Sequence, residues 1–300
     1  MRHRRLVRIL VAFVVAAMTA GAMAAPAAAG APRYRPPDLV AIGDSFAAGT
    51  GNAPYTGPPE CGRSQHNAYG EVLASFRLVT LQALPACGGA TTQQVIDQDQ
   101  IDQITADTDV VTVQALGNDF AFGVLVGYCL EPSVTCHRDQ SLAPLGGITV
   151  QQLLDRIPLD APAALDHLYD TLAERIATVH ARAKVVVVDY GNPFPDPAGW
   201  VGPLCPYMDA EELGVATDFA NGLNVALQQA AARHGFAFAN AAPRFRGLDV
   251  CGFAPAFYRV GLPGMPWLPS VLPTTDPGLF HPNRAGQGIY AAVLAGRLSV

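Results

Sequence analysis

Leu39-Val40-Ala41-Ile42-Gly43-Asp44-Ser45-Phe46-Ala47-Ala48-Gly49 is the stretch that decides how the rest of the chain is read. A short run that is almost wholly apolar is the mark of a strand buried on both faces, as in a parallel sheet. This one stops at Gly43-Asp44, and a serine comes next. A serine there sits on the strand-to-helix turn at the mouth of the sheet, where its own N–H can face a developing negative charge. Taken alone, Gly-Asp-Ser is also an ordinary turn or helix cap. After the first 29 residues the serines are Ser45, Ser64, Ser75, Ser133, Ser141, Ser270 and Ser299, and Ser45 alone directly follows an apolar strand.

Working outward, the same strand pattern recurs. Residues 78–84 are mostly apolar and end at Pro85. Residues 109–115 are rich in Val and Thr, and 183–190 carry four successive valines; 236–240 is a shorter version. Helical periodicity separates them. Leu165, Leu168, Leu172, Ile176 and Val179 fall at three- and four-residue steps and predict a helix over 161–182. Leu213, Phe219, Leu223 and Leu227 predict another over 209–234. A last helix is expected from Pro282 or Asn283 to Leu298, with Pro282 in its first turn, where a missing N–H costs nothing. Strand–helix alternation repeated about five times predicts a doubly wound α/β domain with a five-stranded parallel sheet, flavodoxin-like, and helices on both faces. Residues 120–149, 191–207 and 252–280 read as irregular, and loops leaving the carboxyl ends of strands build the site in such folds.

The amino-terminal segment stands apart from this domain. Arg2, Arg4, Arg5 and Arg8 form a basic head, an apolar run extends from Ile9 to near Met23, and small residues end at Ala27-Ala28-Ala29. That order is a secretory signal peptide. Its apolar core is shorter than the ~20 residues that span a bilayer. Residues 1–29 are therefore expected to be a leader and 30–300 the functional domain, exported and without a stable membrane span. Without the leader's arginines the formal charge of −6 becomes about −10. Such an acidic chain, with Lys184 its single lysine, has no footprint for nucleic acid. Half the residues are hydrophobic and 15% charged, which argues against disorder. Cys61, Cys87, Cys129, Cys136, Cys205 and Cys251 read as three disulfides in an exported protein. Sequence alone does not choose among fifteen pairings; neighbours in order is the expectation. No Cys-x-x-Cys pair or Cys/His cluster of metal-site spacing is present, so neither a metal nor a cofactor is expected.

Four blocks set the chemistry. The Leu39–Gly49 stretch resembles the first block of the SGNH, or GDSL, hydrolase family. Cys87-Gly88-Gly89-Ala90-Thr91-Thr92 is similar to the second, Gly117-Asn118-Asp119 to the third, and Phe280-His281-Pro282-Asn283-Arg284-Ala285-Gly286 to the fifth. They occur in the family's order across nearly the whole domain. The six cysteines and Cys61-Gly62-Arg63-Ser64 further resemble its secreted actinobacterial lipase/esterase branch. No Gly-x-Ser-x-Gly elbow exists, which counts against the α/β-hydrolase fold.

The resemblance implies Ser45 as nucleophile and His281 as its base, since a neutral hydroxyl attacks only if its proton is accepted. It implies an oxyanion site made by the N–H groups of Ser45 and Gly89 and the side-chain amide of Asn118. His66, His137, His167, His180 and His234 read as surface or structural residues. Two departures from the family pattern stand out. Leu116 occupies the place of the usual glycine two before the asparagine. The usual Asp-x-x-His would put aspartate at 278, where this chain has Gly278. The expectation is a Ser45–His281 dyad steadied by the Gly278 carbonyl, with Asp276 reaching back as the alternative acid.

Apolar residues in 252–280 (Phe253, Phe257, Tyr258, Leu262, Trp267, Leu272) and in 120–126 suit an acyl chain, so lipid, phospholipid or simple fatty esters are the expected substrates and a monomer the expected state. Acetylated polysaccharide is the alternative within hydrolases. A catalytically silent binding module on the same scaffold is the alternative outside them, although binding alone needs no nucleophile–base pair.

Overall fold

Val110-Val111-Thr112-Val113-Gln114 is buried along its whole length, so its neighbours must cover it on every side. In the computed structural model it is the central strand of a five-stranded parallel sheet. The structure describes residues 35–129, 136–195, 208–260, 270–273 and 275–298 (side chains of 128 and 129 excepted), all but Arg35 within the unit Pro36–Val300. The expected leader, 1–29, lies outside these residues.

The strands are β1 (Asp38–Gly43), β2 (Thr80–Ala83), β3 (Val110–Gln114), β4 (Lys184–Val188) and β5 (Ala237–Ala239). They lie side by side in the order β2-β1-β3-β4-β5, every pairing parallel. All five expected strands are present, each trimmed or matched to within three residues at its ends. The order reverses between β1 and β3, and an open sheet binds ligands outside the carboxyl ends of its strands at such a switch point.

Helices α1 (Ser45–Ala48), α2 (Tyr69–Ser75), α3 (Thr92–Asp97), α4 (Phe122–Cys129), α5 (Val150–Thr178), α6 (Ala210–Arg233) and α7 (Arg284–Ala295) connect and cover the strands. α5 packs on α3 and α6, and α2 on α7. The buried residues of α5, from Val150, Leu153, Leu154 and Ile157 through to Leu172, keep one continuous stripe. Burying each such Leu or Ile contributes about 1.5–3 kcal/mol.

Three expectations are corrected by these elements. α5 begins at Val150, eleven residues before the predicted start, and runs through Pro158 and Pro162. Interior prolines read as breakers because each removes a helical hydrogen bond; the apolar stripe and a Thr149–Gln152 capping box carry the helix past them. Residues 120–149 hold α4 where an irregular loop was expected. Pro282 stands outside α7: Asn283 is the N-cap, its Oδ1 accepting from the N–H groups of Ala285 and Gly286 at 2.9 and 3.1 Å.

Candidate active site

β1 delivers Ser45 to the switch point. Its last residue, Gly43, has φ +138° and lies so close to β3 that a Cβ would stand 2.1 Å from the Gln114 carbonyl oxygen. Only glycine allows that approach. Asp44 then caps the one-turn α1, its Oδ1 accepting from the Phe46 N–H at 2.9 Å, and Ser45 follows, 8% exposed.

His281 arrives from the other end of the chain. Phe280 before it takes φ +60°, a conformation that costs a bulky residue energy unless its surroundings impose it. They do: the Phe280 N–H donates to the Tyr258 carbonyl and the Tyr258 N–H to the His281 carbonyl, both at 2.9 Å, and the Phe280 ring packs 5.1 Å from that of Phe194. The Asn52 amide adds a bond to the Pro282 carbonyl at 2.9 Å.

The two side chains meet: His281 Nε2 lies 2.6 Å from Ser45 Oγ. On the far side of the ring, Nδ1 lies 2.9 Å from the Leu279 carbonyl oxygen. A carbonyl only accepts, so Nδ1 carries the proton and Nε2 is left to accept from the serine hydroxyl. Burial pushes the imidazole down to about 4, with the Leu279 and Gly278 carbonyls and the Asp276 charge opposing it. The rings of Phe46 and Phe122 stand 5.1 and 6.3 Å away. The ring is thus held neutral and ready to take a proton.

The Gly278 carbonyl, expected at Nδ1, accepts from the backbone N–H of His281 at 3.1 Å and exerts a smaller pull on the ring than the Leu279 carbonyl, which stands 2.9 Å from Nδ1. Asp276 is turned onto the Gly278 N–H at 2.7 Å and touches the imidazole only through its field. Gly278 is itself required, since a Cβ there would stand 2.4 Å from Gly51 Cα.

The second and third blocks close round the serine. The Cys61–Cys87 disulfide matches the neighbour pairing and anchors Gly88, whose N–H donates to the Cys61 carbonyl at 2.9 Å. Cys136 and Cys251 are disulfide-bonded as well; their expected partners, Cys129 and Cys205, have side chains outside the described residues. Gly89 adopts φ +78° with open space where a Cβ would stand. Asn118 donates one amide N–H to the Ala90 carbonyl at 3.0 Å, leaving the other, and Asp119 accepts from the N–H and hydroxyl of Thr92. Ser45, Gly89, Asn118 and His281 line one cleft of about 490 Å³. Leu116, the other departure from the family pattern, is simply buried in the core.

Two small apolar cavities extend behind the serine. The first, about 20 Å³, is walled by Ser45, Phe122, Phe219, Ala220 and Leu223. The next, about 40 Å³, lies between α4 and α6 and shares Phe122, Phe219 and Ala220. From 120–126, Phe122 and Val126 line the cleft and the larger of these cavities. Of the described residues in 252–280, Asp276, Pro277, Leu279 and Phe280 line the cleft, while Phe257 is packed in the core and Phe253 is exposed. Leu262 and Trp267 lie outside the described residues.

Sequence reasoning missed Leu279, which acts through main chain, and gave no role to Asp44 or Tyr190. Asp44 is buried, and desolvation raises its carboxyl to about 7 against the pull of the Tyr190 hydroxyl. Tyr190 stands two residues beyond β4, at the sheet edge that builds sites, and that position was the available signal.

A model of the GDSL-like Lipase/Acylhydrolase family matches residues 41–289. A lipase of Streptomyces rimosus is 30% identical over 270 residues, covering 88% of this chain and 87% of its own. The crystal structure of the extracellular lipase from Streptomyces rimosus superposes with a TM-score of 0.69 at 27% identity, covering 87% of this chain and 99% of that one. That of phospholipase A1 from Streptomyces albidoflavus NA297 gives 0.68 at 25% identity with the same coverage.

Proposed function

The chain belongs to the GDSL-like lipase/acylhydrolase family and is a carboxylic ester hydrolase, and from that premise we propose that it is a secreted serine esterase that transfers fatty acyl groups through Ser45 to water. The observation that carries the reading is the 2.6 Å contact between Ser45 Oγ and His281 Nε2 at the floor of an open cleft.

In this reading Ser45 Oγ attacks the ester carbonyl while Nε2 takes its proton. The carbonyl π electrons move to oxygen, and the N–H groups of Ser45 and Gly89 and the free amide N–H of Asn118 receive that oxyanion. Collapse expels the alcohol, protonated by the imidazolium, and leaves an acyl ester on Ser45. Water attacks it with the same base, the same donors hold the second oxyanion, and the carboxylic acid leaves. The Leu279 carbonyl orients the ring throughout, so Ser45 and His281 work as a dyad.

The cleft of about 490 Å³ that holds Ser45, with Phe122, Val126, Leu279 and Phe280 among its walls, supports an acyl chain; the cavities behind Ser45, about 20 and 40 Å³, add space for a few carbon atoms. The phospholipase A1 name of one structural neighbour supports phospholipids within that class. Export rests on the basic-then-apolar opening of the chain and on the extracellular lipase it resembles. Acetylated polysaccharide would rather use an exposed platform than the apolar walls of the cleft.

The test combines labelling with a substrate series. An organophosphate should modify the wild type and leave Ser45→Ala unmodified, and kcat/KM should rise from acetyl to medium-chain esters. A folded wild type that resists labelling would return the reading to a silent binding module. A series that peaks at acetate would return it to polysaccharide deacetylation.

A further inference from the structure

Behind the nucleophile lies a buried contact that the ester mechanism leaves unassigned. The Tyr190 hydroxyl donates to Asp44 Oδ2, and its oxygen accepts from the Gly117 N–H at 3.2 Å. Asp44 is the residue before Ser45 and holds α1 through its other oxygen, at 2.9 Å from the Phe46 nitrogen. Gly117 is the residue before Asn118. One hydroxyl therefore joins the turn at the end of β1 to the turn at the end of β3, spanning 146 residues to the first and 73 to the second.

Tyr190 is mounted firmly enough to set a distance. Its N–H donates to Asn224 Oδ1, and its carbonyl accepts from Asn224 Nδ2, both at 2.8 Å. Its ring meets that of Phe46 edge-on, with centroids 5.0 Å apart. Both Tyr190 and Asp44 are buried, so water cannot replace a lost partner cheaply. An oxyanion donor works only when it is aimed within a few tenths of an ångström before the charge appears. Asn118 already spends one amide hydrogen on the Ala90 carbonyl, so the aim of the other follows the backbone at 117–118.

We propose that Tyr190 is a positioning residue: its hydroxyl, bridging Asp44 and the Gly117 N–H, fixes the separation between the Ser45 turn and the Asn118 amide. The inference rests on the roles proposed for Ser45 and Asn118.

Tyr190→Phe keeps the ring and its packing and deletes the bridge alone. The experiment is a double-mutant cycle with Asn118→Ala, measuring kcat, KM and the affinity of an alkyl boronic acid, whose serine adduct carries a tetrahedral oxyanion. Tyr190→Phe should lower kcat about tenfold with KM unchanged and weaken the boronate by a similar factor. Asn118→Ala should lower kcat by about a hundredfold or more, and adding Tyr190→Phe to it should cost less than about twofold. Equal losses from Tyr190→Phe in both backgrounds, or a lowered melting temperature with kcat intact, would overturn the proposal and leave the active-site reading standing. An undiminished kcat in Asn118→Ala would overturn both. Should the Phe variant fail to fold, Asp44→Asn leaves ring and hydroxyl in place; with its oxygen kept on the Phe46 N–H, it turns an NH2 donor towards Tyr190 where the acceptor stood, and carries the same cycle.

Discussion

At position 281 burial, more than any neighbouring charge, decides what the imidazole can do. It lowers the group from 6.5 to about 4, and in the proposed mechanism the neutral ring is the form that accepts the Ser45 proton. The acid limb of kcat/KM should therefore lie near pH 4, with activity held through pH 5; a limb at 6.5 would mean a solvated ring. The sign for stability follows by linkage. Between 6.5 and 4 the unfolded chain takes up a proton at this residue that the folded chain refuses, so the residue's contribution to stability falls as pH drops through that window. The neighbouring loop makes a second prediction. Gly278→Asp, which would restore the family's usual acid, should lower the melting temperature and fail to raise kcat, because its Cβ would stand 2.4 Å from Gly51 Cα. Asp276→Asn should keep kcat within about fivefold, since an amide oxygen can accept from the Gly278 N–H as the carboxylate does. A loss of several orders of magnitude would make Asp276 the acid after all.

Between α4 and α6 the packing stops short of closure, leaving a cavity of about 40 Å³ next to the one of about 20 Å³ beside Ser45, and under the proposed reading the two take part of the acyl chain. Ala220 borders both. Ala220→Phe should lower kcat/KM for long-chain esters at least tenfold, an effect of ~1.4 kcal/mol or more on the longer acyl group, while short esters hydrolyse as before; equal losses across the series would place the acyl chain elsewhere. At this scale the sequence told most where burial was uniform. The valines of β4 and the apolar run of β1 were legible because a strand covered on both faces leaves no polar face to blur its pattern. The start of α5 was illegible because Pro158 and Pro162 announce an ending that the stripe from Val150 to Leu172 overrides. The chemistry divides the same way. Ser45, Gly89, Asn118 and His281 sit in contiguous blocks next to strand or helix ends, and the structure brings all four to one cleft. Leu279 contributes a carbonyl that any residue owns, and Tyr190 acts across 146 residues of chain, so neither leaves a local pattern to find.

Taken as a whole, the molecule gathers its site from both termini of the domain and pins the arrangement with covalent links. The Cys61–Cys87 bond closes a loop with a sequence separation of 26, a constraint on the unfolded chain of about 3 kcal/mol. It also holds Gly88 against Cys61, one residue from a proposed oxyanion donor. Cys61→Ala/Cys87→Ala should therefore lower the melting temperature by several degrees and reduce kcat more than it raises KM. A variant that melts early yet turns over normally when cold would confine the bond to stability. The hydrogen bond at the far side of the imidazole, by contrast, comes from no side chain. All twenty residue types carry the carbonyl that Leu279 offers to Nδ1, so no point substitution at 279 can delete it. Mutational drift can disable that support only by displacing the whole loop, which makes the base's orientation a heritable property of backbone path rather than of any one amino acid.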